Sequence, residues 1–316
     1  MCVILAHVNA PVFISFIRCF DVPFLIMISA SLAVLTDKKE AYQNYVWKRV
    51  KRLVFPAWMY LAFCTCTFTI LKIKTPAEMV PSFLFQKYHF GFVWIIFLFF
   101  IMALIVPVFR KAFAHYSDWK IQQKIIIAIF LTGAGIIFEF ICTNTNLYAI
   151  SILEYTFFYF IPYGIVSILG IIAVKMQRSK LFMVSLFFTF ICLGSFLLLN
   201  HTSKPFLPTI YNQPARMYYI SFSMAISFFL YFLFRNADYK LFKFAPIIFL
   251  SSHSLWIYLW HSFVLAITLK VSSLWVLRYI FTIIISCLIV AIQNYIVSKI
   301  PAKNRLLKEF LALFKG

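Results

Sequence analysis

The sequence predicts an all-α, polytopic bundle of membrane-spanning helices, and three observations carry that prediction. Of 316 residues 64% are hydrophobic and only 12% charged, with a mean hydropathy of +0.93, whereas soluble domains carry about 25% charged residues. The apolar residues come in continuous runs, about 17 to 25 residues long in most cases. That is the length of a helix crossing hydrocarbon and not the short alternation of a lipid-facing barrel. Finally, twenty-one of the twenty-nine Lys and Arg fall in one set of alternate loops and eight in the other, the asymmetry expected of helices threaded back and forth through a bilayer.

About ten segments follow, taken in order as 1–14, 22–36, 53–71, 92–109, 125–142, 155–174, 181–199, 217–234, 245–269 and 276–298. The first is shorter than the roughly 20 residues a crossing needs, so it reads as the second half of a helix whose beginning is absent from the sequence. The second is the run VPFLIMISASLAVL, and the third begins after the cluster Lys48, Arg49, Lys51 and Arg52. Charged groups do not follow a chain into hydrocarbon, so that cluster marks a membrane surface. The remaining segments are separated by short polar loops with no room for a soluble domain, and no internal repeat or linker is visible. The organisation expected is one integral membrane domain over 1–298 and a basic amphipathic tail over 299–316. In the tail Leu306, Leu307, Phe310, Leu311 and Phe314 recur at helical spacing, as in a helix lying on the inner membrane surface.

The richer set of basic loops, which includes the Arg49 cluster and the tail, is assigned to the cytoplasm. The net charge of +20 is thereby mostly a topology signal, and no nucleic-acid partner is needed to explain it. Seven scattered Cys form no CxxC or Cys/His ligand pattern, so neither a metal site nor a disulfide framework is indicated. Met1 leads straight into apolar residues without a basic region, unlike a secretory signal.

Within this frame a few polar residues stand out. His7, in VILAHVNAP, lies inside or at the edge of hydrocarbon, where ionisable groups are costly and function is the default reading. An imidazole there can deprotonate a hydroxyl or take an acyl group; a neutral histidine bonded to a backbone carbonyl would fill the same place. Arg49 and Arg52 form an RxxR whose three-residue spacing puts both on one helix face. Guanidinium forks bind phosphates bidentately, but taken by themselves the two are accounted for more simply as an ordinary anchor against anionic lipid. In LSSHSLWIYLWHSF, Ser251, Ser254, Tyr258 and His261 share one face of a single helix, which either lines a cavity or bonds a neighbouring helix. Glu139 and Glu154, at the outer ends of adjacent segments, fit interface residues as well as catalytic carboxylates. Arg18 and Asp21, in the loop after the first segment, could pair with each other or line an outer vestibule.

Taken together, the early His7, VPFLIMISASL, KRVKRLVFP, WIIFLFFIMALIVPVFR, YFIPYGIVSILGIIAV and SSHSLWIYLWH occur in an order that resembles the acyltransferase family 3 membrane proteins, and most of all their surface-polysaccharide O-acetyltransferase branch. The resemblance runs from His7 to about the end of the tenth segment. It implies acetyl transfer from cytoplasmic acetyl-CoA to a sugar hydroxyl of a glycan or glycolipid in a bacterial inner membrane. On this resemblance His7 is the base or acyl relay and Arg49 and Arg52 hold the anionic coenzyme. Ser254, Tyr258 and His261 match the late Ser-x-x-x-Tyr-x-x-His pattern and line the pathway. Acetyl-CoA is then a substrate, the other partners are the acceptor and membrane lipid, and no metal is required. Two rivals explain the same features: a lipid-linked glycan transporter or flippase, and a catalytically inactive, truncated relative.

Overall fold

Breaks in the helices are where the fold departs from ten unbroken segments. The computed structural model describes residues 2–36, 41–86, 90–144, 157–237, 243–301 and 304–314. Among them nine helical stretches are long and apolar enough to cross a membrane: Val12–Leu35, Tyr42–Ile70, Trp94–Ala112, Ile121–Asn144, Phe157–Lys175, Arg178–His201, Met217–Phe234, Ser254–Val271 and Trp275–Lys299. The chain is an all-α, multi-pass membrane protein.

The stretch 1–14 is divided rather than forming half a helix. Helix α1 (Cys2–Leu5) stops, residues 6–9 turn, and α2 (Val12–Arg18) follows. The cause is local: Asn9 adopts a left-handed conformation, φ 56°, which Asn visits more readily than most residues, and Ala10 precedes a proline, where helical conformation is disfavoured. After a two-residue turn α2 gives way to α3 (Asp21–Leu35), and the pair makes one crossing. Arg18 and Asp21 flank that turn and pair with each other at 2.9 Å, while Asp21 also accepts the Val22 N–H.

Further along come α4 (Tyr42–Arg49), a π-helical turn over Val50–Val54, α5 (Phe55–Ile70), α6 (Pro76–Phe83), α7 (Trp94–Ala112), α8 (Ile121–Asn144), α9 (Phe157–Val174), α10 (Arg178–His201) and α11 (Met217–Phe234). The expected segment 245–269 is also two helices, α12 (Ala245–Ser252) and α13 (Ser254–Val271), separated at His253. Here side chains compete for the backbone: Ser251 and Ser252 hydroxyls donate to the Ile248 carbonyl, and the His253 ring contacts the Phe249 carbonyl. Such back-bonding weakens a helix locally. Ser251 is therefore not on the helix that carries Ser254, Tyr258 and His261. Helices α14 (Trp275–Lys299) and α15 (Arg305–Ala312) complete the chain.

The chain divides into two compact units: Met1–Pro11, Glu40–Phe100 and Asp238–Gly316 form the first, Val12–Lys39 and Ile101–Ala237 the second. In the second, α3 and α9 meet closely at Gly170. A Cβ there would lie 3.1 Å from the Met27 Cα, so only glycine allows the approach, and the Ser31 hydroxyl seals it by donating to the Gly170 carbonyl at 2.8 Å. Small residues with interhelical hydrogen bonds are the usual means of helix association in lipid. Glu139 is structural in this unit: Oε1 accepts from Arg216 Nε at 2.8 Å and Oε2 accepts the Met217 N–H at 3.0 Å, at the start of α11.

In the first unit α13 packs against α5 and α14, with α1 against α14. Helix α6 opens with a capping box, in which Thr75 and Glu78 satisfy each other's backbone N–H groups. The amphipathic tail helix α15 is capped by Asn304 and buries Leu311, leaving Leu306 and Phe310 exposed. Just beyond it, the Leu313 carbonyl accepts from Trp256 Nε1 at 2.9 Å and the Phe314 ring stacks on Trp256. Glu309 of this helix pairs with Lys51 at 3.1 Å.

Candidate functional site

In the first unit, two breaks and one intact helix bring His7, Phe92, Tyr258 and His261 together. The turn that carries His7 is anchored from both sides: Ile4 and Val8 are buried against Leu265 of α13, with Tyr279 and Ile283 of α14 beside them. Leu265 lies one turn beyond His261 on the same helix face, so the anchor that fixes the turn also sets its height on α13. The consequence is geometric: the His7 and His261 ring centroids are 5.7 Å apart.

Phe92 stands beside the pair, against His7. Its ring stacks on His7 with centroids 3.7 Å apart and lies 6.0 Å from the His261 ring. Phe92 ends a short 3₁₀ turn, Phe90–Phe92, just before α7, and has φ 51°. A bulky residue held left-handed costs about 1–3 kcal/mol and persists only where its surroundings enforce it. The enforcing contact is visible: the Tyr258 hydroxyl donates to the Phe92 carbonyl at 2.7 Å.

His261 is fully buried. Its Nδ1 contacts the Tyr258 carbonyl, an atom that can only accept, so Nδ1 carries the proton and Nε2 presents a lone pair. Nε2 is buried and has no hydrogen-bond partner among the described residues. Buried polar atoms are normally paired; one left as a bare acceptor can take a proton from a hydroxyl brought to it. Next to it, Ser262 Oγ donates to the Leu259 carbonyl, so in its 2.6 Å contact with Tyr60 the Tyr60 hydroxyl is the donor. Tyr60 is 1% exposed and its ring packs edge-on to Trp260.

The basic cluster belongs to the same unit. Arg49 is the last residue of α4, half-buried with its guanidinium 4.8 Å over the Tyr45 ring, and Arg52 is exposed in the π turn. The two are thus divided between an α-helix and a wider turn rather than sharing one regular helix face. Arg52 precedes Tyr60 by eight residues, roughly 12 Å at helical rise, which links the cluster to the buried Tyr60–Ser262 contact. Ser254 opens α13 and is exposed, one turn from Tyr258 and apart from the ring cluster.

Of the residues singled out in the sequence, His7, Tyr258 and His261 come together, and Arg49 and Arg52 lie further along the same unit. Glu139, Arg18 and Asp21 belong to the second unit and are paired there; Glu154 lies outside the described residues. Phe92 was missed, and its only sequence signal is Gly91 between two Phe at the entry to a helix. No grouping of three His, Cys, Asp or Glu fit for a metal occurs among the described residues.

Fold and site together define a polytopic membrane protein in which two histidines meet within one unit and a basic cluster lies further along that unit. A family model for the acyltransferase domain, acyltransferase family 3, matches residues 1–293, and the chain belongs to that family: it is a membrane acyltransferase. None of the curated proteins and none of the solved structures compared with the chain matches it.

Proposed function

We propose that this acyltransferase moves an acetyl group from cytoplasmic acetyl-CoA to a hydroxyl of a cell-surface polysaccharide or glycolipid, in a bacterial inner membrane. The observation that carries the reading is the meeting of His7 and His261 beside the Phe92 ring, with the His261 Nε2 lone pair buried and without a partner among the described residues. In the reaction an imidazole nitrogen takes the hydroxyl proton as the oxygen bonds to the acyl carbon. The thioester C–S bond breaks, and the departing thiolate recovers the proton. With His7 as relay, its nitrogen takes the acyl group first and passes it to the hydroxyl. Arg49 and Arg52 hold the coenzyme phosphates, and Ser254, Tyr258 and His261 line the route. The excess of Lys and Arg on the side of Arg49 supports a cytoplasmic donor site.

The test is transfer of labelled acetyl from acetyl-CoA to envelope glycan in membranes containing the protein. His7→Ala is expected to abolish transfer while the protein remains inserted, and transfer near the wild-type rate would remove His7 from the mechanism. Glycan export lost on deletion with acetylation unaffected would favour a transporter instead.

A further inference from the structure

The second unit contains a groove of its own. Helices α8, α9, α10 and α11 frame a cavity of about 330 Å³ with an almost wholly apolar lining. On α8 the lining residues include Lys124, Ala128, Leu131, Gly135 and Phe138, spaced three or four apart, so the groove follows one face of that helix. The two ends differ in chemistry. Near one end Lys124 donates to the Ser117 carbonyl at 3.2 Å and sits over the Tyr116 ring at 5.3 Å, and both residues line the cavity. An ammonium has three donors, so Lys124 retains bonding capacity toward the groove. Burial raises the Tyr116 pKa, which keeps its hydroxyl a donor. The segment around this end carries Arg110, Lys111, Lys120 and Lys124 against a single carboxylate, Asp118, which already accepts from the Ser117 hydroxyl and faces His115.

Depth selects the occupant. Gly135 follows Lys124 by eleven residues, roughly 16 Å along the helix axis, and one leaflet of hydrocarbon is about 15 Å deep. A chain whose head group rests at Lys124 therefore ends near Gly135. We infer that this groove is a binding site for one anionic phospholipid of the lysine-rich leaflet, with its phosphate on Lys124 and Tyr116 and an acyl chain along the α8 face to Gly135. The excess of cations over carboxylates at the head-group end selects an anionic lipid over a zwitterionic one. This site is independent of the acyl-transfer reading.

Two glycines supply a matched test. A Cβ at Gly133 or at Gly135 meets nothing within 4 Å, but only Gly135 lines the groove. The intact protein is placed in nanodiscs of mixed phosphatidylglycerol and phosphatidylethanolamine, released, and its retained lipid counted by native mass spectrometry. One phosphatidylglycerol per chain is expected for the wild type, falling about tenfold, or 1.4 kcal/mol, in Lys124→Gln and in Gly135→Leu and remaining unchanged in Gly133→Leu. Ala128→Leu, a second groove-filling variant, replaces Gly135→Leu should that one fail to fold. The inference is overturned if the wild type retains no lipid, if it retains both lipids equally, or if filling the groove leaves retention unchanged.

Discussion

Replacing Phe92 with glycine separates the stability of this fold from its activity. The left-handed φ of 51° costs phenylalanine about 1–3 kcal/mol and costs glycine nothing sterically. Against that gain, the variant loses a half-buried ring, about 1–1.5 kcal/mol at half the value of full burial, and adds about 0.5–1 kcal/mol of backbone entropy to the unfolded state. The terms offset, so thermal unfolding in detergent is expected to move by no more than about 1.5 kcal/mol in stability in either direction. Activity behaves differently, because His7 loses the ring stacked at 3.7 Å and the Phe92 carbonyl that holds Tyr258 is freed to move. Displacement of a reacting group by 1 Å can cost on the order of a hundredfold, and a fall between about tenfold and a hundredfold in labelled acetyl transfer is expected. Phe92→Tyr keeps the stack and is expected to keep most of the rate. Transfer by Phe92→Gly within about twofold of wild type, less than 0.5 kcal/mol of barrier, would refute the view that Phe92 positions the histidine.

Three other outcomes follow from the geometry. Arg49→Ala together with Arg52→Ala is expected to raise the acetyl-CoA concentration needed for half-maximal transfer, and an unchanged dependence would leave the cluster as a membrane anchor. Gly170→Ala forces a Cβ against the Met27 backbone and strains the Ser31 hydrogen bond; overpacking of this kind costs about 1–3 kcal/mol, to be read as a lowered unfolding temperature that Gly194→Ala, with open space at its Cβ, does not share. The hydrogen bond from Lys51, and secondarily that from Arg305, lowers the Glu309 pKa, so the pairing of the tail to Lys51 is present above the ordinary carboxylate range and is lost as pH falls through the lowered value. Protease cleavage of the tail should accordingly rise on acidification, and Glu309→Gln should remove that pH step.

Much of this architecture is legible in the sequence because hydrocarbon leaves few choices. Continuous apolar runs have to be helices, and charges collect at their ends. His7 stood out for the same reason, as a polar residue in an apolar run. The helix breaks share a cause: at Asn9–Pro11 and at Ser251–His253 a side chain or a proline overrides the apolar periodicity. Pairings such as Glu139 with Arg216, or His7 with His261, join residues far apart in the chain and have no local signature. Phe92 is the hardest case, since a left-handed conformation beside Gly91 would be expected at the glycine.

Irregular backbone also bears on where the chemistry lies. Away from water each unpaired backbone group is expensive, so irregular backbone beside an apolar span persists only where protein groups satisfy it or where it lines a cavity. The first unit has two such irregularities next to each other, the turn of His7 and the left-handed Phe92, and each is fastened by α13: the first through Leu265, the second through the Tyr258 hydroxyl. Between these two fastenings on the same helix lies His261, whose own Nε2 remains unpaired among the described residues. Stability alone would favour a regular helix in place of the His7 turn and gives no preference for phenylalanine over glycine at position 92. The arrangement makes sense if α13 serves as a rigid rail on which two imidazoles are held at a fixed separation, and that separation is the quantity the Phe92 variants measure.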